Sequence, residues 1–522
     1  MGRPFRALKS GPRHAYDAIV IGAGIGGLMC ANLLAREGLA VMLVEQHYMV
    51  GGYCSMFRRK GYTFDAATHF YPLLGNPQTM TGRLLQALGI TTGWIKMDPV
   101  DQFHFPDGSH FAVPADFESY VEQLKAAFPE EAHALDDFFA VVKRAYMLGL
   151  LYYFRGRDTA QLDAYRDLTV QQVLDRYFRH PKLKLLLTAD CPHWGSPPSR
   201  TSFVFDSMLR LSYFLGNYYP RGGSQAFADE LAQRFEEWGG HILMQSLVTR
   251  ILVQHETAYG VEVETGRGRE RRVEQVYAEY VVSNGDLLRT LEQMVGPEHL
   301  DEAYVATMRA WRPTYPCFLT HIGLQADMPT AVLRQAHGYY WDSWDTELVG
   351  RNGLRFKVFV PTLYEPALAR HGGHIVIIQK VLDIDYDAID DWASHKEAVE
   401  RYIMAHLERM MPGFGDQVVV KLSASALTSY RYTLNYQGAM LGWEMSPEQL
   451  GTRRLDVIGP IDRLYFVGHW VQPGGGITPV IVSAMKVAHL ITRGSPLQPV
   501  ALPQAWSPDS RSQQPMPLCP TP

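Results

Sequence analysis

The sequence predicts an α/β fold in which a discontinuous, Rossmann-type dinucleotide-binding domain carries a second, α+β substrate domain bearing aromatic helices. Three observations predict it. Near the N-terminus, DAIVIGAGIGGLMCANLLAREGLAVMLVE reads as strand, glycine turn, helix, strand and acid. Near the C-terminus, LYFVGHWVQPGGGITPVIVSAMKVAHLI repeats the strand, glycine loop and helix order. Between them lies a chain of 522 residues, 47% apolar, long enough for two to four domains.

The N-terminal unit places a buried strand over Ala18 to Ile21, a helix over Leu28 to Arg36 ended by Gly38, and a second strand over Ala40 to Val44. Gly22, Gly24 and Gly27 satisfy GxGxxG directly between strand and helix. The first gives the tight turn, the second lets a pyrophosphate approach, and the third allows the helix to pack closely. Glu45, at the end of the second strand, is placed to accept hydrogen bonds from ribose hydroxyls. Alone the glycines are a weak signal, but the ordered combination with Glu45 is a strong one.

Along the chain, segments 15–75, 221–290 and 453–494 compose the binding domain. Segment 76–220 is a substrate- or membrane-facing region, mainly helical and aromatic from about Pro114 to Tyr219. The stretch from Gly222 reads as helix, strand, a hairpin turning at Gly266 to Gly268, and a strand ending at Ser283. Segment 291–452 mixes helices with strands such as HIVIIQKV and forms the substrate domain. Segment 495–522 is rich in Pro, Ser and Gln, lacks the apolar content for a core, and is expected to be disordered.

A net charge of -5 lacks the basic excess that nucleic-acid binding needs. The five cysteines are scattered without a CxxC pair, which points away from disulfides and zinc and toward a reducing, cytoplasmic setting. His371 and His374 have no acid or thiol at ligand spacing, so no metal is expected. The basic N-terminal segment has no apolar stretch of signal-peptide length. No run reaches the roughly 18 consecutive apolar residues of a spanning helix, so a soluble or peripheral membrane protein is expected.

The glycine pair Gly51 and Gly52 follows Glu45 in EQHYMVGGYCSMFRRKGYTFDAATHF, and here the sequence resembles the flavoprotein superfamily of amine oxidases and carotenoid desaturases. YPRGGSQAFADEL, VVSNGD, GAMLGWEMSPEQ and the final PGGG resemble, more narrowly, the carotenoid desaturase, carotenoid isomerase and retinol saturase family. The resemblance implies FAD, held by Gly22, Gly24, Gly27, Glu45, Gly51, Gly52, Val248, Gly468, His469, Gly475, Gly476 and Ile477. His469 stands where many relatives carry Asp, so a neutral group takes the place of a carboxylate there. His69 resembles a position at which retinol saturases carry His; it is the candidate catalytic residue, as a substrate hydrogen-bonding partner or proton donor, with a structural histidine as the competing reading. Cys54 follows the glycine pair and is read as a small buried side chain rather than a covalent flavin link.

The resemblance further implies a long apolar polyene substrate, altered by desaturation, saturation or cis-trans isomerisation, with a quinone, oxygen or a redox partner exchanging electrons. No second GxGxxG lies between a strand and a helix, so a dedicated nicotinamide domain is not expected. A bilayer-resident substrate predicts peripheral membrane attachment through the aromatic region, with Tyr152, Tyr153, Phe154, Tyr213, Phe214, Tyr218 and Tyr219 at the mouth and Arg144, Arg155 and Arg210 reaching headgroups. The alternatives are an amine or amino-acid oxidase of the same superfamily, or a non-catalytic flavin-binding protein.

Overall fold

The computed structural model describes residues 15–155, 160–266 and 271–492, without the side chains of 153–155. The N-terminal arm, Gly268 of the expected hairpin turn and the proline-rich tail lie outside the described residues.

Strand β1 (Ala15–Ile21), helix α1 (Ile25–Arg36) and strand β2 (Val41–Val44) open the chain. All of β2 and Ala18 to Ile21 are buried, because β1 lies parallel between β2 and β12 (Arg272–Ser283) in a covered sheet. Helix α1 starts three residues before the predicted Leu28, so Gly26 and Gly27 lie in its first turn. It is buried from Ile25 to Ala35, packed against α4 (Ser224–Glu237) and α5 (Ile477–Thr492) as well as the strands, which is why it reads apolar nearly all round.

The first sheet runs β10 (Ser246–Gln254), β11 (Thr257–Thr265), β12, β1, β2, β9 (His241–Leu243). Its β10–β11–β12 edge is an antiparallel meander. The last strand, β18 (Leu464–Phe466), pairs parallel with Val281 to Ser283 of β12, beyond the end of β11. Segments remote in sequence therefore converge on β12 and β1.

The second sheet runs β17 (Val418–Ala424), β13 (Cys317–Leu324), β16 (His374–Val381), β15 (Leu354–Phe359), β14 (Gly338–Trp341), β6 (Asp101–His104), β7 (His110–Val113). Every pairing is antiparallel except β14 with β6. The HIVIIQKV reading matches β16 residue for residue. Residues 101–113, in segment 76–220 just before the stretch read as helical, add two strands here; β6 alternates buried and half-buried residues, the period of a strand. Two small antiparallel pairs complete the strands: the hairpin β3 (Met56–Arg59) with β4 (Tyr62–Asp65), and β5 (Trp94–Lys96) with the sequence-remote β8 (Tyr218–Pro220).

Helices α2 (Ala132–Arg155) and α3 (Phe203–Phe214) pack on each other around Phe138, Phe139, Val142, Phe203 and Leu211. This core claims residues expected at a lipid-facing mouth. Tyr152 and Tyr219 are buried. Arg210 is buried too, paired with Asp206 at 2.8 Å and donating to the Leu187 carbonyl, so it cannot reach a headgroup. No helix among the described residues is long and apolar enough to cross a membrane.

Candidate functional site

A cavity of about 610 Å³ extends from the glycine turn after β1 to the face of the second sheet and to α3. It gathers Gly22, Gly24, Glu45, Gly51, Gly52, His69, Val248, Gly468, His469, Gly475, Gly476 and Ile477, from three separate stretches of sequence. Gly27 stands behind the wall.

At the end of β1 the chain turns through Gly22, whose φ of +92° lies in the left-handed region. A Cβ on Gly27 would fall 2.0 Å from the Gly22 carbonyl oxygen, so only glycine lets α1 begin this close beneath the turn. A Cβ on Gly24 or Gly26 would strike the Asn284 amide at 2.9 or 2.6 Å. Asn284, just past β12, donates to the Gly22 carbonyl at 3.3 Å. Gly24 caps α1 with no side-chain acceptor and no acid follows in the first turn, leaving the first N–H groups and the positive helix end for a ligand. This cradle fits a diphosphate.

Glu45 ends β2 nearly enclosed, and burial raises its carboxyl pKa against the N–H bonds it accepts. Its oxygens accept Ala23 N at 2.7 Å and His47 N at 2.8 Å. A carboxylate has about four acceptor sites, so capacity remains for ribose hydroxyls. Gly51 donates its N–H to Ala23 O at 2.8 Å and thereby draws the glycine pair against the turn. From the other end of the chain, Gly468 lies under Asn284, where an added Cβ would meet Oδ1 at 2.9 Å. Burial, then Arg454, pushes His469 down to about 3, so its imidazole is neutral; Nε2 lies 3.3 Å from Asn435 Oδ1. Cys54 also lines the cavity, its buried thiol pushed up to about 11 and therefore protonated.

Beyond this cradle the cavity meets a cluster that no motif spacing announced. His69 is held neutral by burial and by nearby Lys357. Its Nδ1 lies 2.9 Å from Gln379 Nε2 and 3.3 Å from the Ala67 carbonyl oxygen, and its Nε2 is a buried atom with no hydrogen-bond partner among the described residues. Behind Phe70, Lys357 on β15 is fully enclosed, paired with Asp101 of β6 at 2.7 Å and 3.4 Å from the Tyr339 hydroxyl of β14. Tyr339 lies 2.6 Å from His193 Nε2, and His193 Nδ1 lies 3.0 Å from the Tyr213 hydroxyl of α3. Burial lowers the Lys357 amine to about 8 while Asp101 pulls it the other way. Phe70, Phe205, Leu209, Val381 and Met440 supply apolar wall around these groups.

The family of flavin containing amine oxidoreductases matches this chain over residues 25–317, more than half its length and including Gly27, Glu45, Gly51, Gly52 and Asn284. The chain belongs to that family. FAD is its cofactor, consistent with a cradle formed from both ends of the chain. Among curated members of similar sequence, prolycopene isomerase 2 (chloroplastic) of an Oncidium hybrid cultivar is 26% identical over 513 residues, covering 91% of this chain and 84% of that protein. All-trans-retinol 13,14-reductase of Danio rerio is 27% identical over 303 residues, covering 53% of this chain and 49% of that protein. The solved structure of an oxidoreductase from Methanosarcina mazei matches with a TM-score of 0.63 at 18% identity, over 90% of this chain and 99% of that one; this likeness is one of fold. The flavin containing amine oxidoreductase family thus accounts for the two-sheet architecture, and the chain is an FAD-dependent oxidoreductase.

The cradle residues singled out from the sequence line this cavity, Gly27 excepted, and of the inner cluster only His69 was a candidate catalytic residue. Asn284 stood in the quoted VVSNGD stretch, and the strand–Asn-Gly junction was a readable signal for it. Asp101, His193, Tyr339 and Lys357 had none, being spread over three strands of the second sheet and the short turn at His193, and Tyr213 of α3 was expected at a lipid-facing mouth instead.

Proposed function

We propose that this FAD-dependent oxidoreductase acts on a long apolar polyene of carotenoid or retinoid type, by desaturation, saturation or cis-trans isomerisation. The observation that carries the reading is a cavity continuous from the diphosphate cradle to an apolar, aromatic wall. Relatives named for prolycopene isomerisation and retinol reduction support it.

In this reading Gly22, Gly24, Gly51 and Gly52 let backbone approach the pyrophosphate, and Gly27 keeps α1 in place behind them. Glu45 receives ribose hydroxyls, and Val248 of β10 borders the adenosine side. Gly468, His469, Gly475, Gly476 and Ile477 flank the ribityl and flavin portion, with neutral His469 exchanging hydrogen bonds where a carboxylate would only accept. Bound FAD supplies the hydride acceptor or donor. Phe70, Phe205 and Leu209 exclude water and align the polyene, while His69 Nε2 meets substrate or cofactor.

The enzyme is cytoplasmic and peripheral to a membrane, and a quinone, oxygen or a redox partner exchanges its electrons. Transfer of a polyene through water would cost on the order of tens of kcal/mol at about 0.8 kcal/mol per CH₂, so direct delivery from lipid is favoured. Anaerobic mixing of oxidised or dithionite-reduced holoprotein with polyenes and with amines tests the assignment. A flavin absorbance change with a polyene and none with amines is the expected result. Flavin reduction by amines, with hydrogen peroxide released in air, would assign the amine oxidase activity instead.

A further inference from the structure

We propose that Lys357, Tyr339, His193 and Tyr213 form a proton relay whose cavity end, the Tyr213 hydroxyl, exchanges a proton with a substrate carbon. The inference rests on the polyene reading for its substrate and on this chain's own geometry for its path.

The order of donors follows from the groups themselves. An ammonium has no lone pair, so Lys357 donates both to Asp101 and to the Tyr339 oxygen. Tyr339 then donates its own hydrogen to His193 Nε2. His193 is held neutral by burial and by Lys357, so with Nε2 accepting it carries its proton on Nδ1 and donates to the Tyr213 oxygen. The Tyr213 hydrogen is left over, on a half-buried side chain that lines the cavity beside Phe70. The ammonium is further held over the rings of Phe70 and Tyr339, 3.9 and 4.4 Å from their centroids. A buried ion pair adds little stability over an apolar pair of similar volume, so its presence in this wall favours a chemical role.

For saturation the atoms balance as follows. The C=C π bond breaks, one carbon takes hydride from reduced flavin, which is oxidised by two electrons, and its neighbour takes the Tyr213 proton. Tyr213 regains a proton from His193 Nδ1, His193 Nε2 takes the Tyr339 hydrogen, and Tyr339 takes one from Lys357, which becomes a neutral amine. Every hydrogen bond in the chain has then reversed, and the Tyr213 oxygen presents a lone pair to the cavity. From that state the same path removes a proton during desaturation, while hydride passes to oxidised flavin. Lys357 protonation therefore sets whether Tyr213 offers or accepts a proton. The groups facing this lysine are Asp101, Tyr339 and His193, with His69, His337 and Asp190 also within electrostatic reach.

The test uses holoprotein with ¹⁵N-labelled histidine, the His193 signals being those lost in His193→Gln. The relay predicts that His193 moves from the Nδ1–H to the Nε2–H tautomer with a midpoint near pH 8, and that Lys357→Met abolishes the transition. In parallel, single turnover of dithionite-reduced holoprotein with all-trans-retinol should slow on the order of a hundredfold in Tyr213→Phe and in Tyr339→Phe at unchanged FAD content, with loss of the solvent deuterium isotope effect. A tautomer constant between about pH 6 and pH 10 overturns the relay whatever the substrate. Phenylalanine variants that keep both rate and isotope effect overturn it as well. A tautomer switch in a protein that alters no polyene supports the relay and removes the polyene reading.

Discussion

The Glu45 carboxylate accepts the Ala23 backbone N–H at 2.7 Å, so the acid that ends β2 also pins the glycine turn that follows β1. One side chain thus shapes the diphosphate cradle and borders it, and its loss acts on the cofactor site twice.

Glu45→Ala is accordingly expected to weaken FAD binding about ten- to a hundredfold, since hydrogen bonds to a charged group contribute about 1.5 to 3 kcal/mol. Reconstitution of apoprotein followed by flavin fluorescence measures it. Unchanged affinity would show that neither the turn nor the ribose depends on this carboxylate.

The local unit around Glu45 was legible because its determinants are neighbours: the glycine turn, the apolar helix and the two buried strands occupy Ala15 to Glu45. HIVIIQKV was legible for the same reason. The inner cluster was not, since Lys357 meets Asp101 across 256 residues and only the packing of β15 beside β14 and β6 unites them. The expected reach of Arg210 to headgroups failed on a similar point. A basic residue near aromatic ones suits either a membrane or a core, and Asp206 one turn earlier on α3 provides the buried partner.

Stability should carry the signature of Lys357. Its amine stays charged to about pH 10.5 in the unfolded chain but only to about 8 in the fold. Between these values the unfolded state binds more protons, so stability rises with pH across that window. Below pH 8 the full cost of the buried ammonium is present, on the order of 3 kcal/mol. Urea unfolding of wild type against the double variant Lys357→Met with Asp101→Asn should show wild type gaining relative stability from about pH 8 to 10.5. A constant difference would mean that burial does not depress this amine.

Membrane attachment is tested by flotation with liposomes. Wild type is expected to float with the vesicles, and the variant carrying Leu150→Ser and Leu151→Ser on α2, both half-buried, to float less while retaining FAD. Wild type remaining wholly with the aqueous fraction across lipid compositions would remove the peripheral-membrane proposal.

The central claim, that this FAD-dependent oxidoreductase alters a polyene, is tested most directly by expressing it in a host that makes acyclic carotenoids and chromatographing the pigments. The account predicts a pigment with a changed retention time and absorption spectrum, absent when Gly24→Leu fills the cradle beside Asn284. An unchanged pigment profile across acyclic carotenoid substrates, in cells that contain folded and FAD-loaded protein, would contradict it.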